Sequence, residues 1–227
     1  GYRYGGFRNF VAAFTGMILF LDKPSDYALA TTRLMEWLSA QNVKYAEVIV
    51  SAGVVLWRRS RVAGLEAVFD AISGAAAEAQ SRLGLRVNWI LDAIRQFGAG
   101  HAREVLQWAA RFQSRGVVGF GIGGDEVRGP ADLFADVYRE ARDLGLHLTA
   151  HAGETVGPES IRRAVELLGA ERIGHGLTAA RDPAVMALLR DRGIPLEICL
   201  TSNVATGALD RVENHPLPKF LASGLVV

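Results

Sequence analysis

One cysteine, Cys199, is all the thiol chemistry available to this chain of 227 residues. That excludes an internal disulfide framework and a cysteine-rich zinc site, and it fits a reducing, cytoplasmic setting. Neither sign of charge is in excess. With 25 Lys and Arg against 24 Asp and Glu, the net charge is +1, so no global field favours nucleic acid or an anionic membrane. No apolar run approaches the ~18 residues of a membrane-spanning helix, and Gly1-Tyr2-Arg3-Tyr4-Gly5-Gly6 carries no signal-peptide pattern. H-E-x-x-H and G-x-S-x-G are missing too. This speaks against a helical zinc-protease site and against Ser202 as a hydrolase nucleophile. Cys199, inside an apolar run, reads as a small buried hydrophobe. The chain does not begin with methionine, and Gly224-Leu225-Val226-Val227 looks like a strand cut midway. The expectation is truncation at both ends.

What is present is an alternation of short apolar runs and helical patterns. Half of the residues are hydrophobic, enough for one sizeable core. Runs at 45–50, 86–91, 117–122, 147–150, 172–173, 196–199 and 225–227 read as buried parallel strands. Helix-type spacing covers 7–14, 27–37, 31–41, 65–83, 102–114, 131–144, 160–168 and 183–192. Gly84, Gly116, Gly145, Gly193 and Gly224 stand where those helices should stop. The repeated unit argues for one α/β domain over residues 1–227: a (β/α)8 TIM-type barrel, incomplete, with its first strand and the region after its last strand absent. The competitor is a doubly wound open sheet. Its phosphate fingerprint is imitated by Gly119-Phe120-Gly121-Ile122-Gly123-Gly124, but after a mid-chain strand and before the repulsive pair Asp125-Glu126. The barrel is preferred because polar residues collect at the C-terminal ends of several different strands.

Three of those strand ends carry chemistry. Leu146-His147-Leu148-Thr149-Ala150-His151-Ala152-Gly153-Glu154 delivers an imidazole, a glycine turn and a carboxylate. Neutral imidazole is a common zinc ligand, and Glu154 could reach the same substrate without binding the metal. The plain alternative is a hydrogen-bonded core histidine with a helix-capping glutamate. His147 and His151 share a face on a strand but lie ~13 Å apart at ~3.3 Å per residue, which places His147 at the other end as a structural residue. His175, between Gly174 and Gly176, has backbone freedom on both sides, or is simply a turn histidine. Gly123-Gly124 offers bare backbone to a planar ligand, or a plain strand-to-loop turn. Thr201-Ser202-Asn203 either hydrogen-bonds around the site or caps a helix. His101 and His215 read as structural.

Gly-Gly-Asp-Glu at 123–126, His-Ala-Gly-Glu at 151–154, Arg-Ile-Gly-His-Gly at 172–176 and Cys-Leu-Thr-Ser-Asn at 199–203, in this order, resemble the adenosine deaminase family of metal-dependent amidohydrolases. The likeness runs from about residue 7 to residue 227. It implies a (β/α)8 barrel with one catalytic Zn2+ per subunit and a small-molecule purine nucleoside as ligand. It also implies His151 as a zinc ligand, Glu154 as the group that protonates purine N1, and His175 as the base that orients water. Gly124 is implied as a backbone donor to the purine, with Phe7, Phe10 and Phe14 as an apolar lid helix; ordinary core packing is the other reading of that helix. The implied reaction is hydrolytic deamination of adenosine to inosine and ammonia. Aminodeoxyfutalosine or adenine deamination, or a non-catalytic purine-binding relative, are the alternatives. Two departures stand out. No His-x-His occurs, and the chain stops before the Asp-Asp pair expected past the last strand. One of four expected protein ligands is therefore present, and the chain by itself is expected to bind zinc poorly and to turn over little.

Overall fold

The computed structural model describes residues 6–58 and 64–227; the side chains of Phe7, Arg8 and Val11 lie outside this description. Six strands form one parallel sheet in sequential order: β1 (Tyr45–Val50), β2 (Arg86–Ile94), β3 (Val117–Gly123), β4 (His147–Ala152), β5 (Arg172–His175) and β6 (Leu196–Glu197). Sequential parallel order with helical crossovers is the signature of a (β/α) barrel rather than of a doubly wound sheet, whose order reverses at a switch point. The crossovers are α3 (Ala52–Trp57) with α4 (Leu65–Leu83), then α5 (Gly98–Arg111), α6 (Ala135–Asp143), α7 (Glu159–Glu166) and α8 (Pro183–Asp191). Helices α1 (Phe7–Ile18) and α2 (Pro24–Ala40) precede β1, and α9 (Leu200–Ala205) and α10 (Leu217–Ala222) follow β6. The result is a curled, incomplete barrel.

Its curvature is visible in a single side chain. Arg172 on β5 places Nη2 2.7 Å from Glu47 Oε2 on β1 and Nε 2.7 Å from Glu197 Oε1 on β6. Strands separated by three others in the sheet thus meet across its concave side. The convex side is apolar. Trp89 packs edge-on against Phe69 of α4, Phe69 stacks on Phe112 at 4.3 Å, and Phe120 meets Tyr138 of α6. The buried Tyr138 hydroxyl is satisfied by donating to the Thr149 carbonyl at 2.8 Å.

Three sequence expectations change here. Residues 225–227 do not form a strand; their sheet character is one hydrogen bond, from Leu196 N–H to the Val226 carbonyl at 3.0 Å. A strand at that edge would need a continued ladder, which this segment does not make. The sixth strand stops at Glu197, and Thr201-Ser202-Asn203 lies in α9 rather than on a strand tip. The 131–144 helix is divided, with a tight helical turn at Ala131–Phe134 ahead of α6. All five glycines placed at αβ turns by the sequence do take positive φ.

The alternation Gly119, Gly121, Gly123 proves to be a bare inner face of β3. A Cβ at Gly121 would lie 3.0 Å from both Asp92 Oδ1 and Thr149 Cγ2, and one at Gly123 would lie 3.0 Å from Asp92 Oδ2. The glycines leave room for side chains of the flanking strands β2 and β4. This gives them a packing role in place of a phosphate-binding one.

Candidate active site

At the C-terminal ends of β4 and β5, His151, Glu154 and His175 come together. The rings of His151 and His175 are 5.3 Å apart between centroids, and His175 Nε2 lies 3.5 Å from Glu154 Oε2. His147 sits at the opposite end of β4, exposed and paired with Glu171 at 2.7 Å. This is the separation that strand geometry predicts.

Local backbone explains the convergence. β4 ends at Ala152, and Gly153 turns the chain at φ +69. A Cβ at Gly153 would lie 2.5 Å from Ile161 Cδ1 and 2.7 Å from Thr178 Oγ1, so only glycine fits. The turn aims Glu154 toward β5. There His175 itself adopts φ +65, one of only two non-glycine residues among those described with positive φ. Left-handed backbone at a histidine costs on the order of 1–3 kcal/mol and persists where surrounding contacts over-determine it. Those contacts include Asn203 of α9, whose carboxamide lies 3.1 Å from His175 Nδ1. If that carboxamide presents Nδ2, Nδ1 accepts and the ring carries its proton on Nε2. If it presents Oδ1, an atom otherwise buried without a partner, Nδ1 donates and Nε2 is free to accept.

Burial sets the charge states. His175 is 6% exposed. Desolvation, with a smaller contribution from His151, pushes its pKa down to about 4. Glu154 moves the other way. Desolvation and the charge of Glu126 raise it to about 7 against the Thr206 hydroxyl, which lies 3.4 Å from Oε1 and lowers it. The ordinary order is inverted: there is a pH range in which the carboxyl holds the proton and the imidazole does not. His151 is also held neutral, by desolvation first and by Arg95 second, against the Glu126 charge and the Ile122 carbonyl. A neutral, enclosed imidazole at a strand tip is a competent divalent-cation donor.

Several residues at this end carry no motif. Arg95, wholly buried, donates to the His151 carbonyl at 2.6 Å and to the Gly129 carbonyl at 2.7 Å, fixing the tip of β4. Asp92 of β2 is buried with Oδ1 unpartnered, and desolvation lifts its pKa to about 7 against the charge of Arg95. A lone acid in the apolar run Ile90-Leu91-Asp92-Ala93-Ile94 was the available sequence signal. Asp92 Oδ2 and His151 Nδ1 both lie within 4 Å of the point a Cβ would occupy at Gly123. The neutral His151 imidazole and the orphaned Asp92 oxygen fit a divalent cation as part of its surroundings. Among the described residues, however, no three ligating side chains gather as a metal cluster, whereas zinc takes about four donors.

Gly124 has φ +96, and a Cβ there would meet Gln96 Oε1 at 2.5 Å. The same Gln96 oxygen accepts from Asp125 N–H at 3.1 Å, so the 123–125 backbone is held against the segment that follows β2. Phe10 and Phe14 stack at 5.9 Å on α1. Phe14 lines an apolar cavity of about 410 Å³ with Met17, Tyr27, Val48, Val50 and Trp89. None of the residues lining that cavity belongs to the His151–Glu154–His175 group. Phe7's side chain is outside the description. His101 contacts the Gly53 carbonyl at 2.8 Å through Nε2, and buried His215 accepts from Leu217 N–H through Nδ1, as structural histidines do.

Comparison with known proteins adds the following. A family model described as adenosine deaminase matches residues 3–227. The aminodeoxyfutalosine deaminase of Streptomyces avermitilis is 34% identical over 100% of this chain and 63% of its own length. The adenosine deaminase of Serratia proteamaculans is 41% identical over 71% of this chain and 47% of its own. Among solved structures, the adenine deaminase of Arthrobacter aurescens superposes with a TM-score of 0.92 at 29% identity, covering 99% of this chain and 67% of that one. An amidohydrolase from Burkholderia ambifaria with bound Zn gives 0.82 at 27% identity, covering 90% and 57%. The chain spans about three-fifths of the length of the first curated relatives it matches, between 58% and 64%.

Proposed function

Because the chain belongs to the adenosine deaminase family, we propose that it supplies acid–base residues of an enzyme that hydrolytically deaminates a 6-aminopurine nucleoside, in the simplest case adenosine to inosine and ammonia. The observation that carries this reading is the convergence of His151, Glu154 and His175 at two strand tips, rings 5.3 Å apart and Oε2 and Nε2 3.5 Å apart; burial there favours a protonated Glu154 and a neutral His175.

Water attacks C6 of the purine, which is a poor electrophile because attack breaks ring aromaticity. Glu154, still protonated near neutral pH, gives its proton to N1, so negative charge does not accumulate on the ring. His175 takes a proton from the attacking water at Nε2, which requires Asn203 to present Oδ1 to Nδ1. The C6–O bond forms, the proton held by His175 passes to the amino group, the C6–N bond breaks to release ammonia, and the hydroxyl proton at C6 returns to Glu154, leaving N1 protonated in the product. His151 would hold a divalent cation, Zn2+ on this reading, together with further donors. When bound, the cation supplies Lewis acidity that makes water nucleophilic near neutral pH. Gly124 would present its backbone to the purine edge.

A second set of substrates is favoured by specific similarities: aminodeoxyfutalosine by the relatives that match along nearly the whole chain, and adenine by the neighbour of TM-score 0.92. Ammonia release from adenosine, adenine and aminodeoxyfutalosine, measured side by side on the zinc-loaded full-length enzyme, is the test. Release from a nucleoside at a kcat/KM at least tenfold above that for adenine is expected. Release from none of the three contradicts the proposal.

A further inference from the structure

Glu126 is a buried acid that the chemistry above does not use. It is 6% exposed, in the loop after β3. Its oxygens face donors. Gly153 N–H and Ser160 Oγ reach Oε2 at 2.8 and 2.6 Å, and Glu154 N–H and Thr155 N–H reach Oε1 at 3.0 and 3.1 Å, with the Thr155 hydroxyl at 3.5 Å. Three consecutive backbone N–H groups converging on one side chain form an anion nest, and the fourth donor stands in the first turn of α7. The nest is the turn that carries Glu154.

Around the Glu154 carboxyl stand Thr206 of the segment after α9, His175 of β5, Cys199 between β6 and α9, and Glu126. Glu126 accepts from the Glu154 N–H at 3.0 Å, so both acids belong to one buried turn, and a negative charge on Glu126 is relieved when Glu154 stays neutral. Five donors face Glu126, whereas one hydroxyl faces Glu154, so Glu154 is left to hold the proton.

We propose that Glu126 is a positioning residue for Glu154: it fixes the turn that presents Glu154, and its negative charge keeps the proton on the Glu154 carboxyl until substrate takes it. This rests on the reading of Glu154 as the proton donor. The raised Glu154 pKa, caused in second place by Glu126, agrees with the geometry.

Two variants separate position from charge. Glu126→Gln keeps length and removes charge. The basic limb of the kcat/KM–pH profile is expected to move down by about one pH unit or more. Glu126→Asp keeps charge and loses one methylene of reach. There the limb should stay while kcat falls about tenfold or more, because the turn no longer holds Glu154 in line. Ser160→Ala, which removes one donor and no charge, should leave the limb in place. A Glu126→Gln protein with lowered thermal stability and an unmoved limb overturns the proposal, because a mere brace behaves that way. If Glu126→Gln does not fold, Glu126→Asp decides, and unchanged kcat in it overturns the proposal. Near-normal turnover in Glu154→Gln instead removes the proton-donor reading itself, which is a distinguishable result.

Discussion

Glu154→Gln in the full-length enzyme is expected to lower kcat by about 10²–10⁴, the usual contribution of a positioned general acid, while KM changes by less than about threefold. Glutamine has nearly the same shape and an N–H that can still donate to the purine N1, so ground-state binding survives. What it lacks is a proton to transfer. At roughly 1.4 kcal/mol per tenfold, the loss corresponds to about 3–5 kcal/mol of transition-state stabilisation. The split matters more than the size. An equal loss in kcat and kcat/KM marks an interaction made only in the transition state, whereas a rise in KM alone marks binding. Because Glu154 is 3.5 Å from His175 Nε2 and 3.4 Å from Thr206 Oγ1, the substitution should disturb neither fold nor neighbours. Near-normal turnover would take the acid role from Glu154.

In the full-length enzyme, where the remaining ligands are expected, His151→Ala should remove most of the zinc found by elemental analysis. With about four donors in a tetrahedral site, losing one leaves an open, weakly held ion. The backbone of β4 should persist in the variant, since Arg95 holds the His151 main-chain carbonyl rather than its ring. Zinc content equal to the parent's would refute the ligand assignment. A loss of zinc together with collapse of the fold would show up in far-ultraviolet circular dichroism and is not what this geometry predicts.

The fold and the candidate site were unequally legible in the sequence. Strands β1 to β5 were readable because each is a short apolar run closed by a turn residue. His151, Glu154 and His175 were readable because glycines adjoin polar groups at strand ends. Glu126 was visible as part of Gly-Gly-Asp-Glu, but its partners lie 27–34 residues away in sequence, and no local pattern reports such a contact. Arg95 and Asp92 were missed for the same reason: their roles depend on which strands become neighbours. The glycine alternation on β3 was seen, yet its meaning, a bare face that admits Asp92 and Thr149, depends on register. Residues 225–227 had strand composition, but pairing is a property of two segments, and only one bond joins Val226 to β6. Phe10 and Phe14 had the spacing of a lid and of a packing face alike, and spacing does not distinguish the two.

The central claim is the inverted order of protonation. Site-resolved NMR titration of the His175 imidazole nitrogens and the Glu154 carboxyl carbon, assigned with the Glu154→Gln variant, measures it without turnover. The account predicts that His175 takes up its proton near pH 4 and Glu154 loses its proton near pH 7. By linkage, the native state is then favoured by Glu154 at low pH, a contribution lost as pH rises to about 7. It is favoured by His175 at higher pH, a contribution lost as pH falls to about 4. Glu154 titrating near its ordinary ~4.3 with His175 near ~6.5 would contradict it.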